Sequence, residues 1–523
     1  MYARTKTFKN KDGSTRTYVQ IVESRRDGGK IRQKVLANLG RIENLQEGAI
    51  DKLIESLSRY SLQRWARFSA QMLATPKTRE WGPALIFGHL WQQLGLEKIL
   101  EKSRSNTQAD FDFSLAAFTM ALNRLSDPRS KRGVKKWAGS IHLPGIQDLQ
   151  LQHYYRALDY LAEHKNDIEQ RLFDSVRNLF NIQLDLVFWD TTTTYFEGNG
   201  PDMASMGYSK DHRPDRNQLV IGVLMTRDGF PIAHQVFPGN MADINTFRQC
   251  IKDVQQRFDV GRVILVADRG MVSNQLLEEI TTAGLSYIVG VKMRVLRALD
   301  SVLSRGGRYQ QVADNLKVKQ IHHEGERYVI CLNPEQERKD KLTREQIIAK
   351  LQKKLKKETG QLIGNRGYRR YLKVTRASVA LNEDRIAQES RYDGKYVLRT
   401  NTSLTPAEVA LSYKSLWQIE RAFRELKSGL DLRPVYHWTD KRVRGHIMVC
   451  FLALVLESAL CRKLKESGSD CSYADVMDDL KELRAVDVEI EGRRFLTRTE
   501  MTGQAYELFK ALKLRPPLLV QQI

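Results

Sequence analysis

The stretch LDLVFWDTTTTYFE (184–197) decides the fold of this chain. An apolar run opens it, and a single carboxylate, Asp190, separates that run from four threonines. It reads as a buried strand that turns hydroxyl-rich after Asp190. Downstream, LVIGVLMT (219–226) and FPIAHQVF (230–237) read as two strands joined by the turn RDG. INTFRQCIKDVQQRF (244–258) has helical periodicity, and RVILVADRG (262–270) is a short buried strand that runs into Asp268. NQLLEEITTAG (274–284) is a further helix and SYIVGVK (286–292) a further strand. The order is therefore β-β-β-α-β-α-β, a three-strand meander followed by α/β crossovers.

Asp190 and Asp268 each end an apolar strand, and that edge of an open α/β sheet is where sites form. If the two strands are neighbours, the carboxylates converge, repel each other and require a cation between them. Hard oxygen ligands around open positions suit Mg²⁺. A third carboxylate comes from YKSLWQIERAFRELK (413–427), which reads as one amphipathic helix. Tyr413, Glu420 and Lys427 are seven residues apart and share a face. Glu425 lies ~140° round the helix from Glu420, at ~100° per residue. Arg424, one turn after Glu420, is suited to hold a phosphate oxygen; the plain alternative is an ordinary Glu420–Arg424 ion pair on a surface helix. Two metal ions bridged by such carboxylates can activate water and stabilise the leaving oxygen of a phosphodiester. The element order is also the plan of a ribonuclease-H-like domain, an analogy at the level of fold.

The whole chain agrees with a polyanionic partner. Its 523 residues exceed one ordinary domain, and its net charge of +22 favours nucleic acid first and a membrane surface second. Membrane insertion is not expected, because the longest apolar run, Ile447 to Leu460, falls short of the ~18 residues needed and contains Glu457. Five cysteines without a CxxC pair imply reduced thiols in a cytoplasmic protein and no zinc site.

Around this core the pattern changes by segment. Residues 1–45 read as a basic β-rich unit, with TYVQIVES and KIRQKVLANLG joined by the turn RDGG. Residues 1–41 carry eleven Lys and Arg against three acids, which suits DNA contact or a solvated hairpin. Residues 46–180 are helical by periodicity, with a basic loop, RLSDPRSKRGVKKW (124–137), that could touch a phosphate backbone. The core spans 181–295 and resumes at 399–465. Between them, 296–398 form a β-rich basic insertion. Residues 466–523 read as a helical tail. From Lys341 to Arg376 twelve Lys or Arg stand against two Glu. An apolar stripe of Ile347, Ile348, Leu351 and Leu355 explains a helix there but not the single sign of its charge. Lys353, Lys354, Lys356 and Lys357 are its candidate DNA contacts.

Taken together, FWDTTTTYFEG around Asp190, VADRG around Asp268 and the helix 413–427 resemble a bacterial insertion-sequence transposase of the DDE class. The resemblance is to the IS-four superfamily, marked by a Tyr-Arg-Glu-Lys signature on the last catalytic helix, and covers roughly residues 80–465. The spacing fits: 78 residues separate Asp190 from Asp268, and 152 separate Asp268 from Glu420. YSKDHRPDRNQL (208–219) and PGNMADINTF (238–247) also resemble that family's blocks. The resemblance implies Asp190, Asp268 and Glu420 as catalytic Mg²⁺ ligands, with Mn²⁺ able to substitute. It implies DNA-end contacts from Tyr413 and Lys427, and Lys210, Arg213 and Arg216 are further candidates in the first block. Leu416 stands at the signature's arginine position, a departure that Arg424 is placed to compensate. Some relatives stack a flipped base on an insertion-domain tryptophan. This insertion has no Trp, and Tyr309, Tyr328, Tyr368 and Tyr371 are its aromatic candidates, so a hairpin intermediate is left open.

The expected protein is a ribonuclease-H-like α/β transposase. It would bind terminal inverted repeats through the N-terminal unit and helical region, free a 3′-OH at the element end and join it to target DNA. Double-stranded DNA is the partner, a homodimer the expected synaptic state, and the nucleoid the expected place. Two alternatives stay open: a nuclease of the same fold that does not join ends, and a non-catalytic DNA-binding protein derived from a transposase.

Overall fold

The computed structural model describes residues 2–27, 30–45, 48–58, 77–103, 110–180, 186–258, 264–268, 273–294, 298–355, 366–375, 379–469, 471–490 and 493–523. The chain divides into two compact units, one of residues 1–77, 487–496 and 520–523, the other of 78–486 and 497–519. In the first unit, β1 (Tyr2–Lys9), β2 (Thr15–Asp27) and β3 (Lys30–Arg41) form an antiparallel meander. Asp27 pairs with Lys30, and the turn glycines Gly28 and Gly29 lie outside the described residues. Val19 and Val22 are buried, whereas Lys6, Lys9, Lys11, Arg16, Arg32 and Lys34 are exposed.

The second unit begins with β4 (Thr78–Glu80), which pairs antiparallel with Arg484–Val486. Its centre is a nine-stranded sheet. The strands are β5 (Leu186–Tyr195), β6 (Gln218–Thr226), β7 (Pro231–Pro238), β8 (Ile264–Ala267), β9 (Ser286–Gly290), β10 (Gln310–Ala313), β11 (Leu316–His323), β12 (Glu326–Leu332) and, after the small hairpin β13 (Leu372–Val374) and β14 (Val379–Leu381), β15 (Lys395–Thr400). The spatial order is β10-β11-β12-β15-β9-β8-β5-β6-β7. β5, β8 and β9 run parallel, and all other pairings in this sheet are antiparallel.

The central strands are covered on both faces, which is why they read as continuous apolar runs. Leu186, Phe188, Ile221, Val223, Val266 and Ile288 join one core cluster, shared with Ile419, Phe423 and the long helix Asp440–Glu466. Val187, Trp189, Leu224, Leu265, Ala267 and Tyr287 join a second cluster under the helices Asp243–Arg257 and Asn274–Thr282. The alternation along β5 and β8 follows from the two-residue side-chain period of a strand. Gly222 has a specific task here: a Cβ at this position would lie 2.2 Å from the Trp189 ring, so only glycine lets that ring lie across β6. Among the described residues no helix is long and apolar enough to cross a membrane.

The insertion's main strands β10, β11 and β12 extend the central sheet, because β15 pairs with β9. Three expectations change. β5 does not end at Asp190 but continues through the threonines to Tyr195, because Thr is β-branched and fits a pleated strand. The segment 124–137 is no open loop, since Lys131–Trp137 is a helix and Arg124 and Lys131 are buried. The tail beyond 466 carries strands, Arg484–Ile490, Arg493–Arg498 and Val520–Gln522, besides its helices.

Candidate active site

The parallel ladder pairs Leu186 with Ile264, Val187 with Leu265 and Phe188 with Val266. Two residues further along each chain are Asp190 and Asp268, so the two carboxylates stand level on neighbouring strands. The same period puts them on the face of Phe188 and Val266, toward the Glu420 helix. A cavity of about 560 Å³ is lined by Asp190, Asp268 and Glu420, together with Tyr413, Leu416 and Trp417. The Tyr413 hydroxyl donates to Asp268 Oδ1 at 3.0 Å.

The segment 413–427 is not one regular helix. Pro406–Lys414 starts with a capping box, in which Thr405 Oγ1 accepts from the Glu408 N–H and Glu408 accepts from the Thr405 N–H. At 415–416 the chain tightens: the Leu416 N–H donates to the Tyr413 carbonyl and the Gln418 N–H to that of Ser415, three residues back. Trp417–Arg424 then continues as an α-helix and Glu425–Gly429 as a π turn. A strict seven-residue phase is therefore lost. Tyr413 still reaches Asp268, and Glu420 still faces the cavity, exposed and without the Glu420–Arg424 ion pair that a plain surface helix would form. Leu416 lines the cavity wall, and Arg424 is exposed.

Lys427, at the π turn, is held elsewhere: its Nζ lies 2.6 Å from Asp211 Oδ1, which Arg433 also contacts at 2.6 Å. Burial pulls the Lys427 ammonium below its ordinary range, against the pull of Asp211. Arg213 and Arg433 lie over the Tyr195 ring, with guanidinium carbons 5.2 and 5.6 Å from its centre. Arg213 also pairs with Asp215, and Arg216 with Glu197 and Asp215. Lys353 and Lys354 are exposed on the helix Pro334–Leu355, whose Ile347, Leu351 and Leu355 pack on Tyr371 and Leu372; they do not line the acid cavity. Lys356 and Lys357 lie outside the described residues.

Sequence reasoning missed the partners of Lys210. Its Nζ donates to the Thr191 carbonyl at 2.7 Å and to Thr191 Oγ1 at 2.9 Å, and lies 3.8 Å from Asp190 Oδ1 and 4.0 Å from Asp243 Oδ1. Thr191 Oγ1 donates in turn to Asp243 Oδ1 at 2.9 Å, and the Thr191 N–H to Asp190 Oδ1 at 2.7 Å. Burial pushes the Asp190 carboxyl up to about 6; Lys210 and the Thr191 N–H oppose this, and Asp268 and Asp243 add to it. The blocks 208–219 and 238–247 contain Lys210, Asp211 and Asp243, but nothing local in them says which carboxylate meets which cation.

The donor set is all oxygen, and burial, with Asp268 and Asp243 adding to it, favours the protonated form of Asp190. Such a set fits a hard divalent cation, which would offset the repulsion among the carboxylates. Among the described residues no three His, Cys, Asp or Glu side chains stand at common ligand distance.

The family model described as "Transposase DDE domain" matches residues 183–456, and the one described as "IS1634 family transposase, N-terminal domain" matches residues 3–69. No curated protein matches. A solved structure, the Mos1 transposase paired-end complex with left transposon end, matches at 12% identity over 33% of this chain and 57% of that chain, with a TM-score of 0.15. The chain thus spans less than two thirds of that protein.

Proposed function

Because the chain belongs to the family of transposases with a DDE domain, we propose that it is an insertion-sequence DNA transposase whose active site is Asp190, Asp268 and Glu420. The register of β5 and β8 carries this reading, with Glu420 lining the same cavity. The strand order β7-β6-β5-β8-β9 supports a ribonuclease-H-like core, since it is a meander joined to two parallel strands. Tyr413, Leu416, Glu420 and Lys427 would fill the four positions of the IS-four superfamily signature, with Arg424 supplying the cation that Leu416 lacks.

Transposase DDE domains generally use divalent metal ions. Here Mg²⁺, with Mn²⁺ as a substitute, would be held by Asp190, Asp268 and Glu420 and would supply the Lewis-acid chemistry of phosphodiester cleavage. The Tyr413 hydroxyl orients the Asp268 carboxylate, and the Thr191 N–H orients that of Asp190. A DNA phosphate approaching Lys427 and Arg433 must compete with Asp211 for both cations. The freed 3′-OH then attacks target DNA at the same acids. The basic N-terminal unit and the helical region would recognise the terminal repeats, and the exposed Lys353 and Lys354, with Lys356 and Lys357, would add phosphate contacts. Pairing of two ends implies at least a homodimer on double-stranded DNA, in a cytoplasmic, nucleoid-associated protein.

A strand-transfer assay with a pre-cut element end tests this function. Joining of the 3′-OH to target DNA is expected. Cleavage of intact ends without any joining would make the protein a nuclease instead.

A further inference from the structure

Lys210 is fastened to β5 twice. Its backbone N–H donates to Thr193 Oγ1 at 3.0 Å, and its side chain donates to both oxygens of Thr191. The following turn is hydrogen-bonded as well, because Ser209 Oγ accepts from the N–H groups of Asp211 and Arg213. The ammonium is thus delivered to a fixed point between carboxylates from two elements: Asp190 on β5 and Asp243 at the start of Asp243–Arg257.

The distances matter. At 3.8 Å from Asp190 and 4.0 Å from Asp243, Lys210 hydrogen-bonds to neither carboxylate. Its two short bonds go to Thr191. It therefore acts on the acids through its charge, while Thr191 holds it in place. A side chain so committed would have to give up both bonds to reach a DNA phosphate.

We propose that Lys210 is a positioning residue, the resident cation of the acid cluster, which holds Asp190 and Asp243 together before a divalent ion arrives and whose fixed charge limits how tightly that ion binds. The inference rests on the reading of Asp190 as a metal ligand. It assigns Asp243 a role too: a carboxylate that balances Lys210 and favours the incoming cation. The two residues should then change metal affinity in opposite directions, whereas a merely structural role would weaken binding in both cases.

The test is Mn²⁺ binding to the full chain without DNA, followed by calorimetry at about pH 8, above the ordinary carboxylate range. Lys210→Met should bind Mn²⁺ at least about tenfold tighter, Lys210→Arg as the unaltered protein does, and Asp243→Asn about tenfold weaker. If Lys210→Met does not fold, Lys210→Gln carries the same expectation, because its amide can still donate to Thr191. Equal or weaker binding by the neutral variants would overturn the proposal. So would unchanged Mn²⁺ affinity with weakened DNA-end binding, which would make Lys210 a phosphate contact. Asp190→Asn, measured in parallel, separates the two levels. If it leaves Mn²⁺ binding intact, the metal-ligand reading itself fails. If it abolishes binding while Lys210→Met does not tighten it, only the role of Lys210 fails.

Discussion

Replacing Glu457 with glutamine should stabilise the protein, and the gain should grow with pH. Glu457 sits on the long helix Asp440–Glu466 and is only 4% exposed. It lines a cavity of about 570 Å³ behind the Glu420 helix, with Arg421, Glu425 and Cys461. Burial, reinforced by Glu425 and opposed by Arg421, pushes its carboxyl from 4.5 up to about 8. The folded protein thus keeps a proton at neutral pH that the unfolded chain releases. Stability from this group is complete below pH 4.5 and is lost as pH rises through 8. At about 1.4 kcal/mol per pH unit the full loss is ~5 kcal/mol, of which ~3 kcal/mol has gone by about pH 7. The glutamine amide would keep the shape of the protonated acid and suffer no such loss. Urea unfolding of Glu457→Gln and the unaltered protein at about pH 5 and pH 8 checks this, with the variant's advantage growing by several kcal/mol. Parallel pH dependence of the two proteins would refute the reasoning, since it would mean that Glu457 ionises freely in the fold.

Other expectations follow from single contacts. Tyr413→Phe removes one hydrogen bond to a carboxylate, a contact of ~1.5–3 kcal/mol, and should slow strand cleavage roughly 10- to 100-fold at saturating DNA; an unchanged rate would show that Asp268 needs no such support. Lys131, only 3% exposed, is pulled from 10.5 down to about 7 by burial and then by Arg124. The unfolded chain therefore binds its proton more tightly, stability rises with pH from about 7 to 10.5, and Lys131→Met should be more stable at pH 7 by up to ~4 kcal/mol, with the gain fading toward pH 10.5. Thermal unfolding of that variant across this range reads the trend. Neutralising Lys353 and Lys354 together should lower DNA affinity and flatten its salt dependence by about two phosphate contacts; an unchanged slope would return that helix to a solvated surface.

Much of the candidate site is legible in the sequence because its geometry is local. An apolar run before Asp190 and another before Asp268 specify two buried strands, and parallel pairing then brings two equivalent positions level. Thr405 and Pro406 likewise mark the start of the helix Pro406–Lys414, which carries Tyr413. What stays hidden depends on pairing across long stretches of chain. Nothing near Lys395 says that β15 will pair with β9 and draw the insertion's strands into the central sheet. Periodicity likewise treats 413–427 as one cylinder, whereas three-residue hydrogen bonds at 415–416 reset its phase. The charged residues show the same limit. Lys427 looks like a free cation on a helix until Asp211, 216 residues away, takes its ammonium. Arg124 and Lys131 look like a basic loop until the fold buries them.

The central claim is that Asp190, Asp268 and Glu420 together make one catalytic site. Mg²⁺-dependent strand cleavage of an element end by Asp190→Ala, Asp268→Ala and Glu420→Ala, with end binding measured on the same samples, tests it most directly. The account predicts that each substitution abolishes cleavage while end binding survives. Full cleavage by any one of the three would remove that residue from the site and contradict the account.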